Sequence, residues 1–177
     1  MMSMADAFLA EFDAEAQTTR RFLEQLPEDR LEWRPHEKSM TAGQLALHIA
    51  TAPGAIVEMA MADVVPFPKM DKAPEQPTSL QQILDAHDAS VAKVRDTLPT
   101  FSDEQMQRMW KATYEGHDLI EMPRAGVIRT IMLNHWIHHR GQFGVYLRLV
   151  GAKVPSSYGP SGDEMPDVMK DLVSAGK

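Results

Sequence analysis

Four stretches of this chain repeat apolar residues at helical spacing, and that repetition limits its fold more than any other feature. Residues 4–26 place Phe8, Phe12, Phe22 and Leu26 on one stripe, with Leu9, Ala16 and Leu23 beside it, and Pro27 stops the run. A second helix is expected over 42–62, opened by Thr41 and Gln44 at capping-box spacing and kinked by Pro53-Gly54 about one turn after His48. A third, over 80–98, opens on Ser79 and Gln82 at the same spacing and carries Leu80, Ile83, Leu84, Val91, Val94 and Leu98. The fourth starts near Pro123, continues to about Val150 and stops at Gly151. Strand signal is weak. A short helix over 102–108 and a small hairpin from Trp110 to Leu119, turning at Glu115-Gly116, fit the region between the last two helices. The tail, 152–177, reads as loop with a short helical end. Four long amphipathic segments predict an all-α four-helix bundle in one domain, 1–177. Residues 63–78 hold Pro66, Pro68, Pro74 and Pro77, and extended they span roughly 50 Å. The second and third helices therefore need not be antiparallel neighbours.

Polar side chains interrupt these apolar stripes. Glu15 and Thr19 sit between Phe12 and Phe22, and His87 lies in the middle of the third stripe. On the second helix His48 is surrounded by Gln44, Ala52, Ala55 and Met59, a face of small residues that leaves space near the imidazole. On the fourth, His135 and His139 are four positions apart, which stacks two imidazoles on one face. At 100° per residue, Ile128, Ile131, Gln142, Tyr146 and Leu149 fall within about 40° of His135. That phase turns both histidines toward the core, sets His138 about 60° aside and points Arg140 away, at about 140°. Buried polar groups need partners, and a shared metal ion or a hydrogen-bond network would satisfy several at once. Three neutral imidazoles from two helices with an open position is the pattern of a catalytic metal site. Two histidines packed in a core, or Glu15 pairing with an arginine, are the plainer alternatives. Trp136 follows His135, where a metalloprotease of the H-E-x-x-H type needs glutamate. Leu133, Ile137, Gly141 and Gly144 form the opposite face of the last helix, a surface for a second copy of the chain or for a loop or the tail.

Composition narrows the function. With no cysteine, any metal is held by His, Asp or Glu, and disulfides and a cysteine nucleophile are excluded. A net charge of −7 without a basic tract argues against a nucleic-acid partner. The opening residues lack a basic start and an apolar stretch, and no apolar run reaches bilayer length, so a cytoplasmic location away from membranes is expected.

Several motifs are more specific. They are Glu15 to Thr19 followed by Leu-Pro, Trp33-Arg34-Pro35-His36, Leu45 to Ala50 around His48, Met122-Pro123-Arg124, Asn134 to Gln142, Tyr146-Leu147-Arg148, and Val154 to Ser161. In these the chain resembles, over nearly its whole length, the DinB family of damage-inducible metalloenzymes. The resemblance implies an up-down-down-up bundle with a long crossover between helices 2 and 3. It implies a divalent metal, commonly nickel or zinc, on His48, His135 and His139, and often a dimer. Relatives in the wider superfamily include thiol-dependent S-transferases and an isomerase that uses a low-molecular-weight thiol. The expectation is a metal-dependent hydrolase or thiol transferase acting on a small molecule, with Glu15, His87 and Tyr146 as candidates to move protons. A non-catalytic, metal-dependent binding or stress-response module is the alternative.

Overall fold

The fold was obtained as a computed structural model, which describes residues 2–67, 73–167 and 169. Pro68 of the expected crossing segment, and most of the helical end expected in the tail, lie outside the described residues. The helices are α1 (Met4–Leu23), α2 (Ala42–Met59), α3 (Leu80–Thr97), α4 (Asp103–Gln107), α5 (Arg124–Gly126) and α6 (His135–Leu149). A π-helix, Val127–Asn134, joins α5 to α6. Helix α1 packs on α3 and α6, and α2 packs on α3, α6 and the π-helix.

Local chemistry explains where the helices begin. Ser3 and Asp6 cap α1 reciprocally, and Thr41 and Gln44 do the same for α2. Such caps contribute about 1 kcal/mol each. At α3 only half of the expected box forms. The Ser79 hydroxyl accepts from the Gln82 N–H at 3.1 Å, while the Gln82 side chain accepts from Thr78 at 2.9 Å.

Helix α2 runs through Pro53 unbroken. Proline has no N–H to give the carbonyl of Ile49, and the indole Nε1 of Trp136 donates to that carbonyl at 2.8 Å instead. The next N–H, of Gly54, donates to Ser90 Oγ at 2.8 Å, and a Cβ on Gly54 would lie 2.9 Å from that oxygen. Only glycine lets α2 and α3 approach this closely.

The all-α expectation needs correction, because the chain is mostly helical but carries a three-stranded sheet. Strands β2 (Met109–Tyr114) and β3 (His117–Pro123) form the expected hairpin. Its turn residues, Glu115 and Gly116, both have positive φ, which suits the twist of a two-residue hairpin turn. Strand β1 (Val64–Pro66) adds in parallel to β2, with Val65 opposite Ala112, so the first residues of the expected crossing loop belong to the sheet. Arg124 ties this layer to the helices. Its buried guanidinium donates to the carbonyls of Ala60 at 2.5 Å and Gln105 at 2.6 Å and pairs with Asp63 at 2.5 Å. It therefore satisfies the end of α2, where carbonyls lack helical partners.

The phase expected for the last helix is also corrected. Trp136, Arg140, Phe143, Tyr146 and Leu147 are its buried residues, so of the expected face Tyr146 is inside while Gln142 and Leu149 are exposed. His135 and His139 lie half-buried on the border of that face. Two physical causes act together. The π-helix bonds i to i+5 and advances less than 100° per residue, so a phase set upstream does not carry into α6. Arg140 counts as a surface residue by its charge, yet it is buried in an ion pair with Glu15 at 2.5 Å, between the rings of Phe22 and Tyr158. On the face expected for a partner, Leu133 belongs to the core, and Gly144 is covered by Phe22 and Val154 of this same chain.

Candidate metal site

Helix α2 supplies His48, and α6 supplies His135 and His139. The Trp136–Ile49 hydrogen bond joins the immediate neighbours of His48 and His135, so it fixes the separation of the two segments beside the site. Trp136 is held in turn by stacking on Phe12 at 5.1 Å. Trp136→Phe keeps most of the packing but leaves the Ile49 carbonyl unpartnered. The variant should lose about 1–3 kcal/mol, read as a lower thermal midpoint.

The three rings stand nearly perpendicular to one another. Centroids lie 5.2 Å apart for His48–His135, 4.7 Å for His48–His139 and 4.4 Å for His135–His139. One nitrogen from each ring lies within 4.8 Å of the other two, and among the described residues this is the group of His, Asp and Glu side chains placed to share a metal ion. The two α6 histidines face each other through Nε2 atoms 3.0 Å apart. Two imidazole nitrogens bound tetrahedrally to one ion at 2.0–2.1 Å would sit about 3.3 Å apart, so this pair fits a common ion with little movement.

Protonation favours the same use. Burial, and then the proximity of His139 and His135, push His48 down to about 4. Burial, and then His139 and His138, lower His135. Burial lowers His139 as well, offset in part by its bond to Gln142 and assisted by His138. Neutral imidazoles are metal ligands, whereas imidazolium ions are not. Unfolded histidines titrate near 6.5, so between about 4 and 6.5 the unfolded chain binds more protons than the metal-free folded protein. The contribution of these neutral histidines to the stability of the metal-free protein should therefore be complete above pH 6.5 and be lost progressively as pH falls toward about 4. Thermal midpoints of chelator-treated protein across this window check the sign.

Gln142 orients one ligand. His139 Nδ1 lies 3.0 Å from Gln142 Oε1, an acceptor, which places the proton on Nδ1 and leaves Nε2 as a bare lone pair turned toward His135. Partners of this kind typically contribute 10- to 100-fold to metal affinity. Gln142→Ala should weaken metal binding by at least about tenfold in a chelator competition while leaving one site per chain. The sequence marked Gln142 by its phase, but not this role.

The three residues expected to move protons lie outside the histidine cluster. Glu15 holds Arg140 and accepts from the Tyr158 hydroxyl at 2.8 Å. His87 is buried on α3 beside the Trp136 ring, with Nε2 unpartnered. The Tyr146 hydroxyl donates to the Met40 carbonyl at 3.3 Å. His138 is exposed, its ring 5.0 Å from that of His139.

A mostly helical chain with three neutral histidines converging from two helices defines a class of candidate metalloproteins. The comparisons with known proteins place it more closely. The sequence pattern of the DinB family matches residues 1–169, and the chain belongs to that family. It is 31% identical over 171 residues to the uncharacterized protein YrdA of Bacillus subtilis (strain 168), covering 93% of both chains. Its fold is similar to that of a DinB-like protein from Bacillus cereus ATCC 10987, with a TM-score of 0.69 and 26% identity over 89% of this chain and all of the other. The DinB-like protein YjoA of Bacillus subtilis shares the fold, with a TM-score of 0.65 and 24% identity over 85% of this chain and 96% of that one. No helix among the described residues is long and apolar enough to cross a membrane.

Proposed function

We propose that this chain is a metal-dependent enzyme that holds one divalent ion, nickel or zinc, on His48, His135 and His139 and acts on a small molecule. The observation that carries this reading is the pair of Nε2 atoms 3.0 Å apart, with a third imidazole from α2 beside them and all three held neutral by burial. A divalent ion on three neutral imidazoles supplies Lewis acidity, which draws a water or a thiol toward its anion near neutral pH. The chain has no cysteine, so a thiol nucleophile would come from a low-molecular-weight cosubstrate. The remaining residues position the site. Gln142 directs His139, Trp136 sets the spacing of the two helices, and Glu15 holds Arg140 behind α6. His87 and Tyr146 stay candidates for proton transfer.

The same reading places the protein in the cytoplasm as a single domain, 1–177, with α1, α2, α3 and the last helical segment as an up-down-down-up bundle. A homodimer is part of it, supported by exposed Val145 and Leu149 on α6. The test is turnover of metal-replete protein on a panel of esters and amides, and on electrophiles supplied with small thiols, against His48→Ala. Metal-dependent turnover lost in the variant supports an enzyme. Silence on both panels, with metal bound, favours the non-catalytic binding module.

A further inference from the structure

A cavity of about 370 Å³ opens beside the histidines, between α2, the π-helix and the sheet. Its size is typical of a small-ligand pocket. His48 and His135 stand on its wall, so a group bound there lies next to the cluster. Most of the rest of the wall is apolar. Ile56, Met59, Phe67, Ile120 and Ile131 all line it, and each remains only partly buried although packed against the core. Five large apolar side chains left incompletely covered around one cavity mark a surface that gains from being filled.

The polar groups on the wall are already engaged. The Trp110 indole donates to the Met59 carbonyl at 3.1 Å, and the Thr51 hydroxyl donates to the Leu47 carbonyl at 2.9 Å. Among the described residues, no lysine, arginine, aspartate or glutamate lines the cavity. A charged group there would lose its hydration without compensation. Among the described residues, the two imidazoles are the polar features left to a ligand, and they stand together on the wall. The small residues flanking His48, Ala52 and Ala55, make the room that larger side chains would close.

We infer that the substrate carries a neutral, apolar arm, a short alkyl chain or a single aromatic ring, which fills this cavity while its reacting polar end lies at the histidines. The inference rests on the three-histidine metal reading. It adds the substrate class: apolar at one end, polar at the reacting end, with no charge on the buried arm.

The experiment uses zinc-loaded full-length protein and n-alkyl hydroxamates, from acetohydroxamate to octanohydroxamate, as probes whose polar head ligates metal and whose tail varies. Affinities come from calorimetric titration, with zinc content measured on the same samples. Affinity should rise about fourfold per methylene until the cavity is full and then level off. A terminal carboxylate on the longest chain that still gains affinity, whose tip lies inside the cavity, should reverse most of that gain. Ala55 sits at the open rim, so Ala55→Leu narrows the cavity without disturbing the core, and the rise should end at a shorter chain. An affinity that does not change with chain length, or an acid-tipped chain of cavity-filling length that binds as well as the plain one, on protein holding one zinc per chain, overturns the inference and leaves the three-histidine reading standing. Wild-type protein that takes up no zinc overturns both.

Discussion

Alanine at both His135 and His139 should leave the purified protein without bound divalent metal, a loss of one ion per chain relative to wild type. Of the three imidazoles, α6 supplies two, and their Nε2 atoms already face each other at 3.0 Å. His48 alone retains one nitrogen, too few to hold an ion against a competing chelator. The loss should also appear as stability. An ion that binds only the folded state adds RT ln(1 + [L]/Kd), about 4 kcal/mol at a thousandfold excess over Kd. Wild type should therefore show a thermal midpoint that rises with added zinc or nickel and falls with chelator, and the double variant should respond to neither. The replaced side chains are half-buried on the border of the packed face, so the variant should remain folded. Metal content by elemental analysis and a melting curve at several metal concentrations check both parts.

The second large effect concerns stability alone. Glu15→Ala should cost roughly 3–5 kcal/mol, because it leaves the Arg140 guanidinium buried without its counter-charge. The side chains of Arg140 and Glu15 are 3% and 11% exposed, so water cannot take over. Thr19 and the Glu15 carbonyl, at 3.2 and 3.3 Å, are neutral acceptors and replace only part of the interaction. The Tyr158 hydroxyl loses its acceptor at the same time. For a chain of this length the thermal midpoint should drop by roughly 10 °C. Metal stoichiometry should stay at one per chain, since Glu15 is not among the converging ligands. A Glu15→Ala protein as stable as wild type but without turnover would instead assign the carboxylate to proton transfer.

Much of this fold was legible because helices announce themselves locally. The stripes through Phe12 and Phe22 and through Ile83 and Val94 are buried, and Thr41 caps α2 through Gln44. The convergence of His48 with His135 and His139 was expected from the i, i+4 pair and the family motifs together. Other features depend on contacts far apart in the chain. Strand β1 is three residues long and ends at a proline, so no alternation reveals it, and only its pairing with β2 makes it a strand. Arg140 reads as solvent-facing until Glu15 is seen beside it. The π-helix before His135 rotates α6 and makes Trp136 and Phe143, rather than the histidines, the core residues. The Trp136–Ile49 bond needs both Pro53 and an indole from another helix, and neither suggests the other in sequence. The cavity is likewise a product of the sheet packing near α2. The small residues at Ala52 and Ala55 were its one sequence signal.

The proposed chemistry needs a single site for a divalent ion between α2 and α6. Anomalous diffraction from crystals of nickel- or zinc-loaded protein, recorded at the metal's absorption edge, tests it most directly. One strong peak per chain, bounded by the imidazoles of His48, His135 and His139 and absent from crystals of His48→Ala prepared the same way, is the predicted result. A peak elsewhere on the chain, or one that persists at full height in His48→Ala, would contradict it.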